Sequence, residues 1–331
     1  MLKLSVVIIC WNDCKVIGDC LRSLYERTHS VDFEVIVSDN NSADGSVQFI
    51  QESFPAVRIV QNGVNLGFAK GNNAGIRKAK GEYVLILNPD TIIHEGSLDR
   101  WIEFADRHPE AGAFGCRVLN VDGSYQDAAR PFPTIWRNWI AALHLRHLAH
   151  VSDLFISDSY IKWKGDSERF VDWQSGCCVM FRGYLLKRLG GFDERFFYQY
   201  EDVDLCHQAW RAGHPILFTP DVTITHLGGT IRQWRSPIKF QLEVCRNCYR
   251  YFHKYYGRRG VRRCRRAMLA SLRLRQFGYT VLYLVKRNEA AKDRLEMYRV
   301  AIRWNSRIDP VQFVEKGEEP QLGFNATIQV A

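Results

Sequence analysis

Carboxylates in three settings give the first chemical signal in this chain. Asp90 closes Leu87-Asn88-Pro89-Asp90, a sharp turn after an apolar run. A single carboxylate there can hold a hard divalent cation through oxygen, or cap the segment that begins at Thr91 and Ile92. Glu201-Asp202-Val203-Asp204 sets three carboxylates at an expected helix N-terminus, where the helix dipole favours negative charge. Capping is therefore one reading of that cluster. General-base catalysis is the other, because the aromatics from Phe196 to Tyr200 just before it are bulky enough to wall a pocket. His226 ends an expected strand and leads into Leu227-Gly228-Gly229-Thr230, then Arg232 and Arg235. An imidazole, a glycine-rich turn and two guanidiniums can together embrace a diphosphate and its metal.

A fourth segment, Asn65-Leu66-Gly67-Phe68-Ala69-Lys70-Gly71-Asn72-Asn73, is glycine-rich and opens a helix, as anion sites do. It matches neither the dinucleotide GxGxxG pattern nor the phosphate loop with its Lys-Ser/Thr end. A dinucleotide-dependent oxidoreductase and a phosphate-loop ATPase thus gain no support.

The elements that must position these groups alternate along the first 120 residues. Apolar runs at Leu4–Cys10, 33–38, 57–60 and 82–87 read as strands, with helices to about Arg27, after Asp44-Gly45, at 68–80 and at 98–107. An extended run at 111–118 and the tight turn Asp122-Gly123 follow. Continuous apolar strands separated by helices imply a mostly parallel sheet covered on both faces. Ligands of such sheets bind beyond the carboxyl ends of the strands. Here those ends carry Trp11-Asn12, Asp39-Asn40-Asn41 and Asn88-Pro89-Asp90. Residues 130–170, irregular and rich in Trp, Pro and His, read as a long excursion of the same domain. Regularity resumes at 171–181, a short helix ends at Gly190-Gly191, and a helix over about 203–212 is capped by Gly213. Two short strands follow at 216–218 and 222–225, and from Pro237 to about Ser306 the pattern is helical, basic and aromatic. The last 25 residues read as a tail.

Taken in order, Asp39-Asn40-Asn41-Ser42, Asn65-Leu66-Gly67-Phe68, Leu87-Asn88-Pro89-Asp90, Phe192-Asp193-Glu194 with Glu201-Asp202-Val203-Asp204-Leu205, and Thr225-His226 resemble glycosyltransferase family 2. The resemblance spans roughly residues 3–256 and is nearest to the rhamnosyltransferase-like branch. It implies the GT-A fold, a Rossmann-like sheet with helices on both faces and here a C-terminal helical extension. The catalytic domain would occupy 1–235, a nucleotide-sugar half (1–120) and an acceptor half (121–235). The extension would span 236–306 and the tail 307–331.

The resemblance also assigns roles. Trp11, Asn12, Asp39 and Asn41 would hold the nucleotide, with Asp39 at the pyrimidine edge. Asn65, Gly67 and Asn73 would lie under the nucleoside, and Asn88 beside the donor. Asp90 and His226 would bind magnesium or manganese. The chain has Asn88 where the family's metal motif usually has its first Asp, one anionic ligand fewer. Arg232 and Arg235 would close over the diphosphate. Asp202, with Glu201, would be the catalytic base of an inverting transfer. Trp173, Ser175, Gly176 and Tyr200 would meet the acceptor, although strand packing explains Trp173 and Tyr200 equally well. The implied reaction moves a sugar, L-rhamnose from dTDP-rhamnose first, onto a glycan or lipid-linked acceptor in cell-surface polysaccharide assembly. A UDP-sugar-dependent transferase and a non-catalytic nucleotide-sugar-binding homologue are the alternatives.

Composition bounds the rest. Hydrophobic residues make up 46% and charged residues 24% of 331, the mix of a globular protein. Ten cysteines lack a framework spacing, and the lone Cys245-x-x-Cys248 pair falls short of the four ligands of structural zinc, so reduced thiols in a cytoplasm are expected. No targeting segment is expected, since the apolar opening is too short for a signal core. Residues 231–310 carry 21 Lys/Arg against 5 Asp/Glu, while the whole chain is only +9. Arginines at 258–266 followed by an apolar stripe from Leu269 to Leu284 fit a basic amphipathic helix at the inner face of a plasma membrane. Nucleic-acid binding would leave the five ordered N-terminal motifs unexplained and is not expected.

Overall fold

The computed structural model describes residues 2–228, 237–287 and 289–318. Two compact units emerge, one within Met1–Phe132 and Trp163–Gln233, the other within Pro133–Lys162 and Trp234–Ala331.

The first unit opens with β1 (Leu4–Cys10), α1 (Cys14–Glu26), β2 (Phe33–Asp39), α2 (Ser46–Ser53), β3 (Arg58–Gln61), α3 (Gly67–Ile76) and β4 (Tyr83–Leu87). β1, β2 and β4 are apolar and nearly all buried, as parallel strands covered on both faces must be, whereas β3 lies at the sheet edge with exposed ends. β1 lies between β2 and β4, parallel to both, with Cys10 opposite Asp39 and Ile8 opposite Leu87. The polar loops after β1, β2 and β4 are thereby brought to one edge of the sheet. Next come β5 (Thr91–Ile93), α4 (Ser97–Arg107), β6 (Ala113–Leu119), β7 (Tyr125–Gln126) and β8 (Ala129–Arg130).

Residues 171–181, expected as one regular stretch, divide among three partners. β9 (Arg169–Val171) pairs with β12 (Ile216–His226), β10 (Trp173–Gln174) with β8, and β11 (Cys178–Arg182) enters the sheet between β4 and β6. A period-two pattern records which way side chains point, not which strand lies alongside. β11 runs antiparallel to β4, so its first residues lie at the carboxyl end of β4, beside the Asn88 turn. The two strands expected at 216–218 and 222–225 are one strand, β12. Its pairing with β6 shifts register between Thr219 and Thr223, around Pro220, which has no N–H to donate. The sheet order is β3-β2-β1-β4-β11-β6-β12-β5. α6 (Gly183–Leu189) and α7 (Glu201–Arg211) complete the unit.

In the second unit, α5 (Ile135–Ala142) packs with α8 (Pro237–Lys286), α9 (Glu289–Arg307) and α10 (Pro310–Lys316). Residues 133–162, expected as an excursion of the first domain, therefore cluster with the C-terminal helices. α8 is broken at Gly257, whose φ of 63° and ψ of −168° lie outside the helical region. Tyr249 stacks on Trp304 with ring centroids 6.1 Å apart, and the buried Asn305 amide donates to the Ala301 carbonyl at 2.7 Å. Residues 310–316 are helical and bury Val311 and Phe313, where a tail was expected.

α3 lies close on β1 because Gly71 and Gly75 face it. A Cβ on Gly75 would come 2.5 Å from Val7 Cγ1, and one on Gly71 2.5 Å from Ile9 Cδ1. Overpacking of this kind costs about 1–3 kcal/mol. Gly75→Val is therefore expected to lower the unfolding free energy from denaturant titration by that amount; an unchanged midpoint would show that α3 is not held this tightly.

Candidate active site

Asp90, 1% exposed, follows β4, and His226 ends β12. β5 brings them together, since it follows Asp90 directly and pairs antiparallel with β12, His226 opposite Thr91. His226 Nε2 lies 3.2 Å from Asp90 Oδ1, and the Leu227 N–H donates to the Asp90 carbonyl at 2.8 Å. The other ring nitrogen, Nδ1, meets Gln126 Oε1 at 2.8 Å. Gln126 in turn donates its amide to Asn120 Oδ1 at 3.1 Å, which orients its oxygen toward the imidazole. Nδ1 thus faces an acceptor oxygen, and Nε2 faces the Asp90 carboxylate. Asn88 Nδ2 stands 3.4 Å from the same nitrogen as a donor. Asp90 Oδ1 and His226 Nε2, 3.2 Å apart, are atoms of the kind that ligate a divalent cation. Among the described residues no cluster of three or more His, Cys, Asp or Glu gathers to hold a metal. Asp90 and His226 would thus supply two ligands, as hard-cation sites do when substrate phosphates and water supply the rest.

Asp202 begins α7 and is half-buried. Its Oδ2 accepts the Gly176 N–H at 3.0 Å and its Oδ1 the Val203 N–H at 2.8 Å. Burial raises its pKa above the ordinary carboxylate value, opposed by those two amides and by the charge of Arg130. One residue on, the Cys177 carbonyl accepts the Asn88 N–H at 2.9 Å. Adjacent residues of one turn therefore hold the Asn88-Pro89-Asp90 corner and the Asp202 carboxylate. The Cys177 thiol is pushed up to about 12, chiefly by burial and also by the charges of Asp90 and Asp202. Tyr198 is raised by burial and by Glu201, Asp202 and Asp90. Both groups thus feel the charges of Asp90 and Asp202. Glu201 is buried, 3% exposed.

The loops after β1 and β2 support each other. Asn12 and Asn41 adopt left-handed φ of 59° and 63°, which asparagine tolerates. Asn12 Oδ1 accepts the Ala43 N–H at 2.7 Å, and its own N–H donates to Ser42 Oγ at 2.9 Å. Trp11, half-buried, donates its backbone N–H to Asp13 at 2.9 Å. Asp39 is 3% exposed; Oδ2 accepts the Ser42 N–H at 3.1 Å, while Oδ1 is buried with no hydrogen-bond partner. Asn41 is exposed beside it.

Asn65, Gly67 and Asn73 make contacts that join the start of α3 to residues 192–197. Asn65 Oδ1 accepts from the Gly67 N–H at 3.0 Å and from Asn40 Nδ2 at 3.3 Å. Gly67 has φ 77°, and a Cβ there would stand 2.6 Å from the Phe197 ring and carbonyl oxygen. The next N–H, of Phe68, donates to that Phe197 carbonyl at 2.8 Å. Asn73 donates to the Phe192 carbonyl at 2.9 Å and accepts its N–H at 2.9 Å, and also reaches Glu194 Oε1 at 3.2 Å. With its amide engaged on both sides and 4% exposed, Asn73 has no group turned to a nucleotide. The segment is a latch on residues 192–200, and those lead into Asp202. The latch matters because Gln199 and Tyr200 both sit at positive φ, 73° and 74°, which costs about 1–3 kcal/mol each.

The expected acceptor residues divide. Gly176 contacts the Asp202 carboxylate through its N–H. Ser175 donates its N–H to the Ala128 carbonyl at 2.8 Å. Trp173 donates its indole N–H to the Pro131 carbonyl at 3.0 Å, with the Arg130 guanidinium 5.9 Å from its ring, so it packs the β8–β10 pair. Tyr200 caps α7 through its carbonyl, which accepts the Asp204 N–H at 2.8 Å. Arg232 and Arg235 lie outside the described residues. Sequence reasoning missed Gln126 and Arg130, which respectively contact His226 and bear on Asp202. Each does so through pairing or packing, without a local motif.

Residues 5–159 match the family model described as "Glycosyl transferase family 2". The chain is 31% identical over 217 residues to the N-acetylglucosaminyl-diphospho-decaprenol L-rhamnosyltransferase of Mycobacterium tuberculosis, covering 58% of this chain and 66% of that protein, just under two thirds of its length. It is 27% identical over 218 residues to Rhamnosyltransferase WbbL of Escherichia coli K12, covering 63% and 78%. Among solved structures it is similar to the mannosyltransferase PcManGT of Pyrobaculum calidifontis in complex with GDP-Man and Mn2+, with TM-score 0.55 and 18% identity over 92% of this chain and 87% of that one. S. aureus TarS 1–349 in complex with UDP-GlcNAc gives TM-score 0.53 and 18% identity, over 96% and 98%. At such identities the structures share the GT-A fold and no more is drawn from them.

Asn73→Ala would leave the buried Phe192 N–H and carbonyl without partners, at a cost of about 1–3 kcal/mol. Thermal unfolding should show that loss while nucleotide affinity stays within about twofold; the reverse pattern would return Asn73 to the nucleotide.

Proposed function

We propose that this chain is an inverting transferase of glycosyl transferase family 2 with Asp202 as its base, a reading supported by the family match and by the similarity to two rhamnosyltransferases. The observation that carries this reading is the convergence of two kinds of group on one turn. Asp90 and His226 form a cation site, and Asp202, its pKa raised, stands beside it. Asp90 and His226 would hold magnesium or manganese, which when bound stabilises negative charge on the leaving diphosphate. Asp39 offers its unpartnered Oδ1 to the imino N–H of a pyrimidine, between Trp11 and Asn41. Asn88 lies on the donor side of the same corner.

Asp202 takes the proton of an acceptor hydroxyl as that oxygen bonds to the anomeric carbon and the bond to the diphosphate breaks. One displacement inverts the configuration. The Gly176 amide keeps the carboxylate aimed, and Glu201 begins the same helix turn. The donor of choice is dTDP-rhamnose, since two relatives are named rhamnosyltransferases. The acceptor would be a glycan or a lipid-linked saccharide, reached by peripheral attachment at the inner face of the plasma membrane. Among the described residues no helix is long and apolar enough to cross a membrane.

Asp202 works deprotonated, so turnover is present above its pKa and lost as pH falls through it. The raised pKa moves that acid limb of kcat/KM above the ordinary carboxylate range. Arg130→Leu removes a nearby positive charge and should move the limb to still higher pH. Asp202→Asn should keep donor affinity and reduce kcat by about 100-fold or more. Normal turnover in Asp202→Asn, or an unmoved limb in Arg130→Leu, counts against this base.

Thermal shift with dTDP-rhamnose and UDP-sugars, with and without manganese, tests the donor site. One donor should stabilise the protein in a metal-dependent way, and Asp90→Asn or His226→Gln should abolish that dependence. No response to any donor would sink the transferase reading.

A further inference from the structure

We infer a second anion site, remote in sequence from every catalytic motif, in the helical unit. Arg262, Arg265 and Arg266 of α8 and Arg307 at the end of α9 line a cavity of about 420 Å³, together with Ser306, Ile308, Asp309 and Pro310. Four guanidiniums face one carboxylate there. That carboxylate is already engaged, as Asp309 Oδ1 accepts the Val311 and Gln312 N–H groups at 2.8 and 3.2 Å. Arg265 is pinned as the floor, its Nε on the Asn305 carbonyl at 2.7 Å and its Nη2 on the Ser306 carbonyl at 2.9 Å.

Among the described residues Arg259, Arg263, Arg273 and Arg275 of α8 also lack an acidic partner, and what sets Arg262, Arg266 and Arg307 apart is that they line the cavity. Elsewhere in the unit Arg258 pairs with Glu315 at 2.7 Å, Arg246 with Glu243 at 3.3 Å and Arg299 with Glu296 at 3.6 Å. Among the described residues, Arg262, Arg266 and Arg307 have no ion pair or side-chain hydrogen bond, and all three are exposed around the cavity mouth. Like charges gathered on a concave surface repel unless an anion lies among them. Planar forks that converge on one cavity suit the tetrahedral oxygens of a phosphate or diphosphate. No carboxylate of the chain competes nearby in sequence, because residues 244–288 hold 13 Lys/Arg and no Asp or Glu.

The phosphate in question belongs to a membrane lipid. At 3.6 residues per turn, Arg262, Arg266, Phe277 and Leu284 fall on one side of the second half of α8. Phe277 is 71% exposed and Leu284 68%, with Val285 at 75% and Leu274 at 44% close by. An exposed apolar face continuing from an arginine-lined cavity matches a molecule with a phosphate head and a hydrocarbon tail. A second copy of the same helix would instead bring its arginines against these.

The test uses the full chain, two triple variants and two probes. Arg262→Gln/Arg266→Gln/Arg307→Gln empties the cavity of its unpaired charges. Arg259→Gln/Arg263→Gln/Arg275→Gln removes the same charge from the same helix outside the cavity. The probes are phosphatidylcholine vesicles containing phosphatidic acid, by co-sedimentation, and inorganic pyrophosphate, by calorimetry. The cavity triple should bind the acidic vesicles at least about tenfold more weakly than the control triple. Its melting temperature should not fall, because mutually repelling charges have been removed. Loss of pyrophosphate binding in the cavity triple, with vesicle binding equal in both, would keep the anion site but assign it a soluble phosphate. Equal effects of the two triples on both probes would overturn the site, leaving only diffuse charge. Neither probe depends on sugar transfer, so the outcome is independent of the catalytic reading.

Discussion

The turn at Gly176 and Cys177 is the constraint on which the first unit's chemistry depends. The Gly176 amide holds the Asp202 carboxylate, and the Cys177 carbonyl holds the Asn88 amide one residue later. A backbone turn between two fixed strands cannot move one partner without the other. Its position follows from β11 running antiparallel to β4, which puts the start of one strand at the end of the other. Had β11 been parallel, its first residues would lie at the opposite edge of the sheet. The side chain at 176 is limited by the same contacts, since a Cβ there would stand 3.1 Å from the Phe68 ring and 3.5 Å from Asp202 Cβ.

A buried carboxylate is expensive unless its oxygens are met. Asp202 is met by two amides, enough to orient it but not enough to cancel the effect of burial, and its pKa stays raised. The segment that delivers it carries two left-handed non-glycine residues, Gln199 and Tyr200. Such backbone persists only where its surroundings fix it. Here the α3 terminus does so through the Phe68–Phe197 and Asn73–Phe192 hydrogen bonds. The glycines of α3 serve the same end from the other side, letting the helix lie against β1. One short helix thus couples the carboxyl ends of β1 and β2 to the segment that carries Asp202.

The helical unit follows a different logic. Its interior is built from large aromatic and thiol groups, with Cys245, Cys248 and Cys264 all buried and free. Acidic side chains near its arginines pair with a subset of them, and three of those left unpaired among the described residues line one cavity. An uneven distribution of this kind is a surface property. It concerns partners more than folding.

The sequence by itself determined the family motifs, the parallel core and the identity of the groups able to do chemistry. Apolar runs of strand length and polar loops after them are local signals, and Asp39, Asp90, Asp202 and His226 were legible because strand ends and helix starts are written in adjacent residues. The tertiary structure decided the rest. The latch role of Asn65–Asn73, the contact of Gln126 with the His226 ring and the charge of Arg130 near Asp202 arise between residues far apart in the chain. Asn73 and Phe192 are 119 positions apart, Gln126 and His226 100. The same distance hid the three-way division of 171–181 and the grouping of 133–162 with the C-terminal helices. Periodicity reports which face of an element is buried; the neighbour that buries it is chosen by register and packing, which only the folded chain contains.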